Sequence, residues 1–192
     1  MSKVESLEDF YKQKFNWLPE NLKKDIGHFN VFRLEDCINS PVKYTRRDYY
    51  KITLLRGNFL YHYADKSIEV TGTTLIFFKP DVPYKFEQLS EDAYGYFCIF
   101  KEAFFTEHLR GSIKDLPMYA VGGKPAYQLN KAEDKYVSNV YEKMLSEIAS
   151  DYAFKYDLLR NHVTELIHFA MKLEPAERPY HHRRRTLDRR QR

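Results

Sequence analysis

What most constrains this chain is how often its β-type segments are interrupted. From "HFNVFRLED" at His28 onward, apolar and polar residues alternate with period two and β-branched and aromatic residues dominate. Breaks fall at Ser40-Pro41, Gly57-Asn58, Ala64-Asp65-Lys66, Thr71-Gly72 and Pro80 to Pro83. Strands that short cannot bury an apolar side alone, so they must close into a barrel or stack as sheets. Gly57-Asn58 suits a two-residue turn with Gly first, and "YADKS" reads as a tighter hairpin loop, which together predict a β-meander.

Helical periodicity flanks this region. Leu7, Phe10, Tyr11 and Phe15 stand at helical spacing before "WLP" stops them. At the other end, Asn130 with Glu133 three residues later forms a capping-box pattern, followed by a stripe of Tyr136, Val137, Val140, Met144, Leu145 and Ile148. After Ser150-Asp151 a second stripe runs Leu158, Leu159, His162, Val163, Leu166, Ile167, Ala170 and Met171 until Pro175. The pair predicts an antiparallel helical hairpin. Its stripe is broader than one partner helix needs, so Leu159, Val163, Leu166 and Ile167 are expected at a homodimer seam. The chain then divides into a helix and lead-in over 1–24, a β-barrel over 25–129, a dimerising hairpin over 130–175 and a tail over 176–192.

Charge and cysteine content narrow the function classes. The formal net charge is +4, but "HHRRRTLDRRQR" at the end holds six Arg and one Asp, so the rest of the chain carries a net −1. A phosphate-binding footprint would lie in that tail, which lacks apolar periodicity and is expected to be disordered. No apolar run approaches the roughly 18 residues of a membrane-spanning helix, and the N-terminal stretch lacks the apolar core of a secretory signal. A cytoplasmic protein with no membrane partner is expected. Cys37 and Cys98 form no C-x-x-C pair, so two reduced thiols are expected.

The order "RRDYYKITLLRGN", "HYADKSIEVTGTTLIFFKPDVPYKFE", "FCIFKEAFF" and then a helical hairpin resembles the N-terminal half of AraC-type transcription regulators over about residues 25 to 173. The resemblance implies a mainly β fold with α: a cupin-like barrel (double-stranded β-helix, or jelly roll) followed by the antiparallel hairpin. It further implies an effector inside the barrel and subunit pairing through the hairpin. In such regulators a helix–turn–helix region of roughly one hundred residues would begin near Pro175. Here "ERPYHHRRRTLDRRQR" follows instead, so no specific DNA binding by this chain alone is expected.

Metal-binding cupins converge a His-x-His pair, a Glu and a later His on one ion. Laid on this sequence, that pattern puts Thr45 and Arg47 at the paired histidines, Lys51 at the Glu and Tyr84 at the last His. Those side chains are poor ligands for a divalent cation, and two repel it, so no metal and no cofactor is expected. No nucleophile elbow, Gly-rich phosphate loop or H-E-x-x-H motif is present, and no enzyme activity is expected; a small cupin isomerase or dioxygenase, or a stand-alone small-molecule-binding cupin, is the alternative. Arg47, Tyr49, Lys51, Tyr61 and Tyr84 instead suit a small organic, anionic effector, since guanidinium and ammonium pair carboxylates while tyrosines supply faces and hydroxyls. Strand alternation leaves a second register open. Tyr50, Ile52 and Leu54 could face the core, which would turn Arg47, Tyr49 and Lys51 towards solvent.

Overall fold

The strands of the computed structural model are β1 (Phe29–Arg33), β2 (Tyr50–Arg56), β3 (Phe59–Tyr63), β4 (Lys66–Val70), β5 (Thr73–Phe78), β6 (Tyr84–Gln88), β7 (Tyr94–Phe100) and β8 (Ala126–Leu129). The structure describes residues 4–19, 22, 28–37, 44–63, 66–91, 93–105 and 111–173. The strands form two antiparallel sheets, ordered β1-β7-β2-β5-β8 and β4-β3-β6. An isolated antiparallel bridge between Thr45 and Tyr84 extends the smaller sheet beyond β6. The chain thus passes back and forth between two facing sheets, which is the cupin-like jelly roll.

This arrangement corrects the meander. Only β3 and β4 are both consecutive and hydrogen-bonded to each other among these strands. Gly57-Asn58 does not close a hairpin: it carries the chain from β2 in the larger sheet to β3 in the smaller one. Its glycine is needed there, because φ is +123° and a Cβ would lie 3.1 Å from Ser90 Oγ and 3.3 Å from Ala93 Cα. Gly57 N–H also donates to Gly72 C=O at 3.0 Å, tying this crossing to the return from β4 to β5.

The larger sheet is covered on both sides, and this resolves the register. Tyr50, Ile52 and Leu54 on β2 share one core with Leu75, Phe77, Cys98, Phe100 and the two C-terminal helices. Tyr49, Phe97 and Ile99 pack on the opposite side with Phe10, Tyr11 and Phe32, while Leu55, Ile76 and Phe78 meet Tyr61 and Tyr84 of the facing sheet. Solvent is therefore on neither face of β2. The two registers weighed from the sequence were not exclusive: one set faces the helices and the other faces the barrel interior.

Helix α1 (Leu7–Lys14) begins at a Ser6 capping box closed by Asp9 and buries Leu7, Phe10 and Tyr11 over one end of the barrel. Helix α2 (Lys131–Ile148) starts at Asn130 with Glu133 completing the reciprocal box, as the sequence pattern predicts. Its buried face is Val137, Val140, Tyr141 and Met144, with Tyr136 exposed. Tyr141 Oη donates to the Ile52 carbonyl at 2.8 Å, and Asp134 receives two bonds from Arg56 at 3.0 and 3.1 Å through Nε and a third from Nη2 at 2.5 Å. Those contacts seat α2 on β2.

Helix α3 (Lys155–Leu173) corrects the expected dimer seam. Leu159, Val163, Leu166 and Ile167 are all 0% exposed within one chain, packed in the core between α2 and the larger sheet. The stripe is broad because it covers the sheet as well as a neighbouring helix, so these four side chains have no surface left for a partner. Among the described residues, no helix is long and apolar enough to cross a membrane. The tail over 176–192, and the position near Pro175, lie outside the described residues.

Candidate functional site

Three of the four positions singled out by the cupin metal pattern, Thr45, Arg47 and Tyr84, come together. Tyr84 N–H donates to the Thr45 carbonyl at 3.3 Å, and the Arg47 guanidinium lies 3.8 Å from the centroid of the Tyr84 ring. Arg47 Nη1 donates to the carbonyls of Thr45 at 3.0 Å and Tyr84 at 3.2 Å. Among the described residues, no three His, Cys, Asp or Glu side chains come together in a group able to hold a metal ion.

Arg47 is buried, at 3% exposure, yet its charge is not bare. Its Nε stands 3.3 Å from Glu5 Oε1, and Tyr49 Oη donates to the same oxygen at 2.8 Å. Glu5 is brought in by backbone bonds: its N–H donates to the Arg46 carbonyl at 2.8 Å and its C=O accepts from Asp48 N–H at 3.1 Å. The sequence offered two outcomes for Arg47, anion or water. The observed partner is a third, a carboxylate from the N-terminal segment.

Lys51 is different. Its ammonium lies 4.3 Å from the centroid of the Phe97 ring, and no hydrogen bond or ion pair joins it to any described residue. Surrounding protein desolvates it, and the Arg47 charge adds to the effect, lowering its pKa from the ordinary lysine value to about 7. It nevertheless keeps part of its surface accessible.

Two buried hydroxyls on β2 and β3 have no hydrogen-bond partner. Thr53 lies two residues along the same side of β2, opposite Phe97 and Ile76 in the ladders, and its Oγ1 is buried with no hydrogen bond. Tyr61 Oη on β3 is likewise buried and unpaired. Its ring meets Phe78 at 5.3 Å, and Phe78 stands directly opposite Lys51 in the β2–β5 ladder. Leaving a buried polar group unpaired costs roughly 1–3 kcal/mol, so each of these hydroxyls is a position where a bound polar group would add stability.

The surrounding charge is positive. Burial lowers the Lys14 pKa, and the nearby Arg47 charge lowers it further, which puts three basic groups in one field against the Glu5 carboxylate. Burial raises the pKa of Tyr49, Tyr61 and Tyr84, the last to about 12, so all three stay protonated donors at neutral pH. Cys37 also sits in this field, its thiol pKa raised by burial.

Thr53, Glu5 and Lys14 were missed from the sequence. Thr53 was within reach, since alternation from Tyr49 through Lys51 leads to it. Glu5 and Lys14 gave no signal, because nothing local links the first fifteen residues to β2.

A groove of ≈ 540 Å³ has a lining that includes Tyr63, Met118 and the lysines Lys66, Lys79 and Lys124. Lys66 and Lys124 are exposed, and Lys79 Nζ donates to the Tyr119 carbonyl at 2.8 Å. It contains no unpaired buried amine.

The sequence matches no protein-family model and no curated protein. Among solved structures, an apo ToxT variant from Vibrio cholerae superposes with a TM-score of 0.48 at 13% identity, over 77% of this chain and 56% of that one. Unsaturated fatty acid bound wild-type ToxT from the same organism gives 0.42 at 18% identity, over 77% and 54%. A cupin protein from Bacteroides fragilis gives 0.31 at 16%, over 54% and 79%. This chain thus spans little more than half the length of the ToxT chains. Ligand and activity have to be argued from its own residues.

Proposed function

We propose that the chain is an effector-sensing module of a transcription regulator, taking a small organic anion into the barrel interior beside Lys51. The observation that carries the ligand part is Lys51 itself: a half-buried lysine with its ammonium over the Phe97 ring and no hydrogen bond or ion pair to any described residue, on a strand that also carries the unpaired hydroxyl of Thr53. A carboxylate there would restore the ammonium charge. Tyr61 and Tyr84 supply aromatic walls, while Arg47 and Lys14 contribute field rather than direct contact. The regulatory part is supported by the order of segments that resembles AraC-type proteins.

The test is a thermal-shift screen of small carboxylates and phosphorylated sugars. A binder raises the melting temperature by mass action, and Lys51→Met abolishes the rise. Should no anion stabilise the wild type, the ligand part fails. Lys124→Ala separates the groove of Lys66, Lys79 and Lys124, since a rise lost in that variant alone would move the site there.

Pairing of two chains through the hairpin belongs to the same proposal, but on the outward side of α2 and α3, where Tyr136 is 44% exposed and stacks on Phe169 at 4.9 Å. Sizing with light scattering at micromolar concentration decides it, and a monomer removes the dimer.

A further inference from the structure

The groove of ≈ 540 Å³ gathers three lysines and no acid among the described residues. They come from separate places in the fold: Lys66 opens β4, Lys79 follows β5 and Lys124 precedes β8. Lysines elsewhere are neutralised close at hand, as Lys12 is by Glu8 at 2.7 Å, Lys85 by Glu87 at 2.6 Å and Lys101 by Asp48 at 2.6 Å. None of the three at the groove has a carboxylate partner among the described residues, and Lys79 gives one hydrogen bond to the Tyr119 carbonyl, which leaves its charge uncompensated. Like charges lining one concave wall focus a positive field there.

The wall also carries apolar side chains. Met118 lines it at 2% exposure, whereas Ile68 and Val121 stand open to water at 36% and 98%. Val121 is held out by a tight turn, in which Gly123 N–H donates to the Ala120 carbonyl at 3.0 Å and a Cβ on Gly123 would lie 2.0 Å from the Pro117 carbonyl oxygen. Apolar surface beside uncompensated ammonium groups suits a ligand with an anionic head and an apolar body, and the volume is that of a small-molecule site. The donors select the head. A carboxylate offers one charge to three ammonium groups, whereas a phosphate monoester carries close to two and presents three oxygens. Ammonium groups can meet those oxygens from several sides, and no arginine lines the groove to favour the two-pronged carboxylate geometry instead.

We propose that this groove binds a small phosphate monoester with an apolar body, the phosphate held by Lys66, Lys79 and Lys124 and the body lying against Ile68, Met118 and Val121. The site is separate from the one beside Lys51 and does not depend on it.

The experiment titrates phenyl phosphate into the full chain by calorimetry at about 0.1 M salt, where exposed charges still attract one another, with inorganic phosphate and benzoate in parallel. Phenyl phosphate is expected to bind, and Lys66→Ala and Lys124→Ala are each expected to weaken it roughly fivefold, the upper end for one exposed charge contact. Both lysines are exposed, so neither variant threatens the fold. Val121→Glu, at a position open to water, sets a carboxylate in the groove and should weaken binding further, while Lys51→Met should leave it unchanged. Undiminished affinity in the Lys66, Lys124 and Val121 variants overturns the proposal, as does the absence of binding by millimolar phenyl phosphate. Loss confined to Lys51→Met assigns the phosphate to the barrel and overturns the groove site while the barrel reading stands. Inorganic phosphate binding as tightly as phenyl phosphate removes the apolar body, and benzoate binding as tightly removes the phosphate; either result overturns the ligand class.

Discussion

Glu5→Gln removes one formal charge from the buried pair with Arg47 while leaving an oxygen to accept from Tyr49. The side chains are 4% exposed at Arg47 and 12% at Glu5, so water cannot replace the missing carboxylate. Stranding one charge of a buried pair costs about 3–5 kcal/mol. Arg47 here keeps two carbonyl acceptors and the Tyr84 face, which places the expected cost at the lower end, about 3 kcal/mol. For a chain of 192 residues that corresponds to a melting temperature lower by roughly 6–12 °C. The assay is urea unfolding and calorimetry of Glu5→Gln, Arg47→Met and the double variant as a cycle. The double variant should lose less than the two single losses summed, because removing both charges leaves none stranded. A Glu5→Gln protein within about 0.5 kcal/mol of wild type, the range of an ordinary surface change, would refute the buried pair.

Other substitutions test the frame around the site. Leu166→Ala should cost about 3 kcal/mol in urea unfolding, and Leu166→Asp should unfold the chain rather than dissociate it, since Leu166 is fully enclosed; a well-folded Leu166→Asp protein would contradict this. Asp134→Ala should cost about 2 kcal/mol by removing the paired acceptor of Arg56 and Thr73, measured as a shift in urea midpoint. His28 is buried and its pKa is lowered to about 4, chiefly by desolvation and then by Lys101, while its Nε2 shares a hydrogen bond of 2.6 Å with Tyr11 Oη. The unfolded chain therefore binds the extra proton between that value and about 6.5, so this contribution is complete above pH 6.5 and up to roughly 3 kcal/mol is lost as pH falls to 4. His28→Gln should flatten that part of the pH–stability curve.

Local patterns were legible and long-range cover was not. The Asn130–Glu133 box is a code within one turn, and the helix begins where it says. The cupin pattern, a resemblance to a fold rather than a local code, named Thr45, Arg47 and Tyr84, which meet across 37 residues of sequence. By contrast, the alternation of β2 could not show that helices would cover one side and an opposing sheet the other, which made two compatible registers look like rivals. The stripe at Leu159, Val163, Leu166 and Ile167 reports that something apolar covers it, and a sheet leaves the same mark as a second subunit. The Glu5 carboxylate was invisible because only the folded path of the N-terminal segment sets it on Arg47.

The account turns on Lys51 as a desolvated amine with no hydrogen-bond or ion-pair partner among the described residues, which a ligand anion would recharge. The direct measurement is the Lys51 pKa by heteronuclear NMR of its side-chain carbons, assigned with Lys51→Arg, without and with a saturating stabilising carboxylate. The expected result is about 7 in the free protein, rising when the carboxylate binds. An ordinary lysine value of about 10.4 in the free protein, unmoved by any anion, would contradict it.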